Sequence, residues 1–129
     1  MDDSIDRLKT IKNELARLAN SRNARCTAWK QDCPTEWHPT KVIDPRTKEP
    51  FTNPGAWDFV VEMLLKPETV LEEKELDKPR GKKGYELKIK TESGVIYIKL
   101  QFGLKGGTII GRSFHYSFKD TIYGAKERK

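Results

Sequence analysis

With 129 residues, 36% hydrophobic and 34% charged, the chain fits one domain with a modest core and a heavily charged surface. Two cysteines are too few for a disulfide framework, and no apolar run approaches the ~20 residues that span a bilayer. The net charge of +6 and pI of about 9.3 come mainly from Lys78–Lys90 and Lys119–Lys129; a basic domain of this kind most often meets polyanions, nucleic acid first among them, although the same balance suits a merely soluble protein.

The N-terminal MDDSIDRLK opens acidic and has no apolar signal core. The expectation is a cytoplasmic protein with reduced thiols and no membrane partner. Ser4 to about Ser21 reads as a helix. Ile5, Leu8, Ile11, Leu15 and Leu18 recur at spacings of three and four and form one narrow apolar stripe. Asp2, Asp3 and Asp6 suit the positive end of its dipole, Ser4 can cap it, and Arg17 and Arg22 suit the other end. The stripe serves packing on the domain or on a partner helix; the stretch is short for a coiled coil, which favours the first.

Residues 25–53 are the least regular part, with Pro34, Pro39, Pro45 and Pro50 inside and Pro54 just beyond. Trp29, Trp37 and Phe51 give this stretch something to bury, so an ordered loop is expected, and a loop this long is often functional. Cys26, Cys33 and His38 follow a C-x6-C-x4-H spacing that is no zinc signature and lacks a fourth ligand, so no metal is expected. A second helix follows, with Asn53 as N-cap and Pro54 at its first position. Trp57, Val60, Val61, Leu64 and Leu65 form its buried face, and Pro67 ends it. Thr69 to Leu76 reads as a strand whose glutamates and lysine mark it for a sheet edge. Asp77 to Lys83 is a charged turn with four cations in seven residues.

Three alternating runs between Gly84 and Ser117 predict antiparallel strands. A Ser93-Gly94 turn pairs Glu92 with Val95 and sets Lys88 against Lys99, Glu86 against Gln101 and Lys90 against Tyr97, with Ile89, Leu87 and Tyr85 meeting Ile98, Leu100 and Phe102 on the apolar face. Lys88 facing Lys99 is repulsive; a bound anion relieves that, and so does splaying of two exposed lysines. At Lys105-Gly106-Gly107, a three-residue loop pairs Leu104 with Thr108, and brings Ser113 beside Lys99 and His115 beside Tyr97, with Arg112 on the apolar side. A two- or four-residue loop reverses the faces, and a bulge near Gly111 can place Arg112 and His115 together. The His115 arrangement is the one expected. The fold class is then α+β: N-terminal helices on one face of a four-stranded, mainly antiparallel sheet in one domain, 1–129. Its helical and loop-rich part is 1–66, its sheet 69–118, and 119–129 a basic tail.

The polar face gathers groups suited to metal-independent RNA cleavage, which needs a base for the 2′-hydroxyl, an acid for the leaving 5′-oxygen and cations for the phosphorane. His115 can exchange a proton near neutral pH, Glu86 can serve as base if the sheet desolvates it, and Tyr97 can donate a proton or stack on a base. Lys99, Lys88 and Arg112 can hold phosphate, with Gln101 and Ser113 beside them. Against this stands the ordinary role of a lone histidine as a structural sheet residue.

Helices followed by an antiparallel sheet in a small basic chain resemble the bacterial ribonuclease toxins of the RelE and MqsR type, within the barnase–colicin–RelE fold. In the MqsR type a V-Y-L-K strand precedes a final strand ending in S-F-K; this chain has Ile96-Tyr97-Ile98-Lys99 and then Ser113-Phe114-His115. The resemblance covers roughly Ala56 to Ser117. It implies catalytic positions for Tyr97 and His115, histidine replacing the family's lysine. Gln101 has no counterpart there. It also implies RNA as substrate, no cofactor, an antitoxin or immunity protein as inhibitor, and the ribosome as a further partner. The alternative is a non-catalytic module, a phage-encoded inhibitor among the options, that binds nucleic acid or protein through the same basic face.

Overall fold

The computed structural model describes residues 3–103 and 106–117, with side chains from residue 6 onwards. The cap expected of Ser4, the place of Ile5 in the stripe and the tail 119–129 lie outside it. The described residues are α+β: two α-helices and a mixed sheet of six strands, two of them only two residues long. Helix α1 (Asp3–Ala19) buries Leu15 and Leu18 with Ala16 and Ala19, and its stripe packs on α2 (Asn53–Leu65). Helix α2 begins one residue earlier than the sequence suggests. Thr52 is the N-cap, its Oγ1 accepting from the Gly55 amide at 3.0 Å.

The strands are β1 (Arg25–Cys26), β2 (Glu36–Trp37), β3 (Glu72–Glu75), β4 (Lys83–Thr91), β5 (Gly94–Phe102) and β6 (Ile109–Tyr116). Their order is β1-β6-β5-β4-β3, with β2 also paired to β6. The expected four antiparallel strands are present, with β3 at one edge. The addition comes from the proline-rich stretch: β1 and β2 both pair parallel to β6 and close the other edge. No alternation marks them in the sequence, because two-residue strands are too short to show a period.

The β4–β5 register differs from the expected one by two residues. Thr91 pairs with Gly94, so Glu92 and Ser93 make the turn. The Thr91 hydroxyl donates to Gly94 O at 2.7 Å and accepts from the Ser93 amide. Gly94 has φ +142, and a Cβ there would lie 3.1 Å from the Tyr116 ring, so the glycine is needed beside the turn rather than in it. A slip of two keeps every side chain on its face but changes its partner. Glu86 now faces Lys99 and Lys88 faces Tyr97, so the expected Lys88–Lys99 repulsion does not arise.

The β5–β6 connection is also longer than expected. The Gly103 amide donates to Thr108 O at 2.9 Å, which leaves a four-residue connection whose Leu104 and Lys105, and with them the expected Leu104–Thr108 pair, lie outside the described residues. Left alone, that loop would turn His115 inward. A bulge corrects it: Leu100 pairs with Gly111 but Lys99 with Ser113, so Arg112 is the extra residue. Of the arrangements open in the sequence, the bulge is the one adopted, and Arg112 leaves the apolar side.

The core lies between the helices and one face of the sheet, with Leu87, Ile96, Ile98, Leu100, Ile109 and Phe114 against Phe59, Val60 and Leu64. Trp37 stacks on Trp57 at 4.7 Å and meets Phe114 at 5.2 Å. Arg46 ties the 42–51 turn to α2 by a two-pronged pair with Asp44, at 2.9 and 2.8 Å, and by Gly55 O at 3.1 Å. Among the described residues no helix is long and apolar enough to cross a membrane.

The bulge makes a stability test. A Cβ on Gly111 would lie 2.5–2.9 Å from the Trp37 ring. That indole is fixed between Trp57 and Phe114, so it has little room to yield. Gly111→Ala is expected to lower the unfolding free energy by ~1–3 kcal/mol, as overpacking does, read by urea denaturation. A value unchanged from the native chain would mean that Trp37 does not fix the bulge.

Candidate functional site

The sheet face opposite the helices carries the site. Register fixes its rows: Lys88 (β4), Tyr97 (β5) and His115 (β6) lie side by side, and so do Glu86, Lys99, Ser113 and, from β2, Glu36. The alternation read from sequence holds through both register corrections, so all eight site candidates reach this face or its bulged rim.

Tyr97 and His115 are in contact, with ring centroids 5.4 Å apart. The Tyr97 hydroxyl donates to Glu86 Oε2 at 2.6 Å. Burial, then the hydrogen bond to Glu86 and the negative charges of Glu86 and Glu36, hold the Tyr97 phenol far above the ordinary tyrosine range, with Arg112 opposing. It therefore keeps its proton and acts as a hydrogen-bond donor. His115 Nδ1 lies 2.7 Å from Tyr116 O, so a proton on Nδ1 is shared with that carbonyl. Its Nε2 then faces the Glu36 carboxylate at 3.5 Å. The imidazole is only 15% exposed, whereas Glu36 is 69% exposed. The centre of the face is thus a row of hydrogen-bonding groups, Glu86–Tyr97–His115–Glu36, with Lys99 beside it.

Arg112 and Gln101 play a different part from the one the sequence suggests. Gln101 is 1% exposed and Arg112 8%. Arg112 Nε donates to Pro34 O at 2.7 Å, and Nη1 to Lys78 O at 2.8 Å and to Gln101 Oε1 at 2.7 Å. Two edges of the guanidinium are thus committed to the fold. Cys33 Sγ lies 3.8 Å from the same Gln101 oxygen, and Gln101 Nε2 has no hydrogen-bond partner among the described residues. Ser113 is buried next to Lys99. Lys88 is exposed. Cys26 and Cys33 line one hollow with Pro79, while His38, the residue after β2, is not part of its lining. Among the described residues no group of three His, Cys, Asp or Glu side chains is placed to hold a metal.

Sequence reasoning missed Glu36 and the neighbouring Trp29 and Thr35. They come from the loop-rich stretch and reach the face through the parallel pairing of β2 with β6. The available signal was a tryptophan and a carboxylate inside a long loop of a small domain.

The tyrosine makes a pH test. In a spectrophotometric titration the Tyr97 phenol should ionise well above the ordinary tyrosine range, so that Tyr97→Phe removes a late step. Glu86→Gln should move it to lower pH, because a carboxylate that disfavours phenolate is gone. A late step unmoved by either change would contradict the Tyr97–Glu86 pair. Compared with family models, with curated proteins and with solved structures, the chain gives no match.

Proposed function

We infer that this chain is a metal-independent endoribonuclease of the toxin kind, held in check by an antitoxin or immunity protein. The observation that carries the reading is the His115–Tyr97 pair, at 5.4 Å, between two carboxylates and beside Lys99, on a basic protein. In this reading a 2′-hydroxyl gives its proton to a carboxylate, and Glu86 is the one set beside Tyr97. The 2′-oxygen attacks phosphorus, the bond from phosphorus to the 5′-oxygen breaks, and protonated His115 supplies the proton that oxygen takes up. The products are a 2′,3′-cyclic phosphate and a 5′-hydroxyl. Lys99 faces the charge that builds on the phosphorane, and Tyr97 donates to a phosphate oxygen once Glu86 turns to the 2′-hydroxyl.

One observation favours the second reading, a binding module on the same face. The Tyr97 hydroxyl already has an acceptor in Glu86, and Arg112 is fixed to backbone carbonyls, so both can be structural.

Purified protein incubated with RNA, with and without ribosomes, separates the two. Cleavage is expected to leave cyclic-phosphate ends. His115→Ala should slow it by ~10²–10⁴-fold, the usual worth of a general acid or base, and Tyr97→Phe should slow it as well. No cleavage by the native chain under either condition would overturn the enzyme reading. Activity that survives His115→Ala would remove this site assignment and leave the reaction class standing.

A further inference from the structure

Between the rim of the polar face and the loop that overhangs it lies a cleft of about 240 Å³. Lys99, Arg112 and Ser113 of the sheet form one side, and Trp29, Thr35 and Glu36 the other. The loop exists in excess of what the sheet needs. Cys26 pairs with Ile110 and Glu36 with Ser113, so nine residues, 27–35, pass over a stretch where β6 has two. They are nonetheless held in place. Thr35 Oγ1 donates to Thr27 O at 2.9 Å and closes the neck. Lys30 and Cys33 exchange backbone hydrogen bonds at 3.3 and 3.1 Å, and Arg112 grips Pro34 O.

This fixed loop presents one large apolar side chain to solvent. Trp29 is 64% exposed, whereas Trp57 is buried and Trp37 is packed between Trp57 and Phe114. An indole left in water beside two cations is unusual. One of the cations is pre-set as well. Arg112 is held through Nε and Nη1, and its Nη2 makes no hydrogen bond among the described residues. The cleft is smaller than the ~300–1,000 Å³ of sites for drug-sized ligands, and so suits one nucleotide unit.

We propose that this cleft is a nucleotide subsite for single-stranded RNA: the base stacks on Trp29, and its phosphate lies against Lys99 and the free edge of Arg112. The proposal rests on the RNA reading above. Stacking on an aromatic face is the usual way a protein holds an unpaired base, and a nearby cation holds the backbone. Glu36 belongs both to the cleft and to the His115 contact, so the bound nucleotide is the neighbour of the scissile phosphate. The cleft also gives the 27–35 loop a task that the core does not.

The test uses a fluorescein-labelled 2′-O-methyl RNA oligonucleotide of mixed sequence, which has no free 2′-hydroxyl and cannot be cut. The native chain should bind it, read by anisotropy, and the unlabelled form should quench tryptophan emission. Trp29→Ala should weaken binding about five- to a hundredfold, the range for loss of one base–aromatic stack, and abolish the quenching. Trp29→Phe should retain most of the affinity. Circular dichroism should show both variants folded, since the side chain is outside the core. Native binding that Trp29→Ala leaves unchanged overturns the subsite and leaves RNA binding standing. Binding without cleavage of the unmodified RNA overturns the enzyme reading and leaves the subsite standing. No binding at all overturns both. Trp29→Ala that weakens binding only as much as Trp29→Phe overturns stacking as the cause.

Discussion

The guanidinium of Arg112 is the point on which the sheet's polar face depends. A charge as buried as this one is costly unless its hydrogen-bonding edges are filled. Here Nε and Nη1 are satisfied by two backbone carbonyls and an amide oxygen, Pro34 O, Lys78 O and Gln101 Oε1, which belong to three separate segments. The loop between β1 and β2, the loop between β3 and β4, and the C-terminal end of β5 are all tied to one side chain. Removal of that side chain would take a donor from Pro34 O and Lys78 O and leave Gln101 Oε1 only the Cys33 thiol, at ~1–3 kcal/mol for each acceptor left buried and unsatisfied. The irregular parts of the molecule are thus held by a charge with no carboxylate among the groups it bonds.

Arg112 reaches this position because of its neighbour. Gly111 sits against the Trp37 indole with no space for a Cβ. The Trp37–Trp57–Phe114 cluster occupies the apolar side of the sheet, and the bulge that follows Gly111 sends Arg112 to the polar side. Two adjacent residues therefore join the core to the site. The glycine admits the tryptophan that anchors β2 to the core, and the arginine secures the loop that β2 terminates. The same bulge restores the pairing of Ser113 with Lys99 and of His115 with Tyr97, which a four-residue loop would otherwise have undone.

The site is accordingly a product of edges. Its central residues come from β4, β5 and β6, where long strands and regular pairing set the spacing. Glu36 and Trp29 come from a segment that has almost no secondary structure of its own and is ordered by what it touches. Tyr97 donates to Glu86, its ring meets that of His115, and His115 Nε2 faces Glu36, so the four side chains are in contact along the row. Pre-arrangement of this kind lowers the cost of ordering groups when charge develops.

Much of this was legible in the sequence. The spacing of Leu8, Ile11, Leu15 and Leu18 gave α1, and Pro54 and Pro67 bracketed α2. Strict alternation from Tyr85 to Phe102 put Glu86, Lys88, Tyr97, Lys99 and Gln101 on one face, because period two survives any slip of two residues. The pairings themselves were not legible. Whether Lys99 faces Lys88 or Glu86 depended on a glycine that the Tyr116 ring excludes from the turn. Whether His115 or Arg112 completes the face depended on a bulge set by an indole from residue 37. The strands β1 and β2, and with them Glu36 and Trp29, exist only through parallel pairing with β6. Local periodicity determines which way a side chain points within its own strand. Contacts between residues far apart in the chain decide what it meets there.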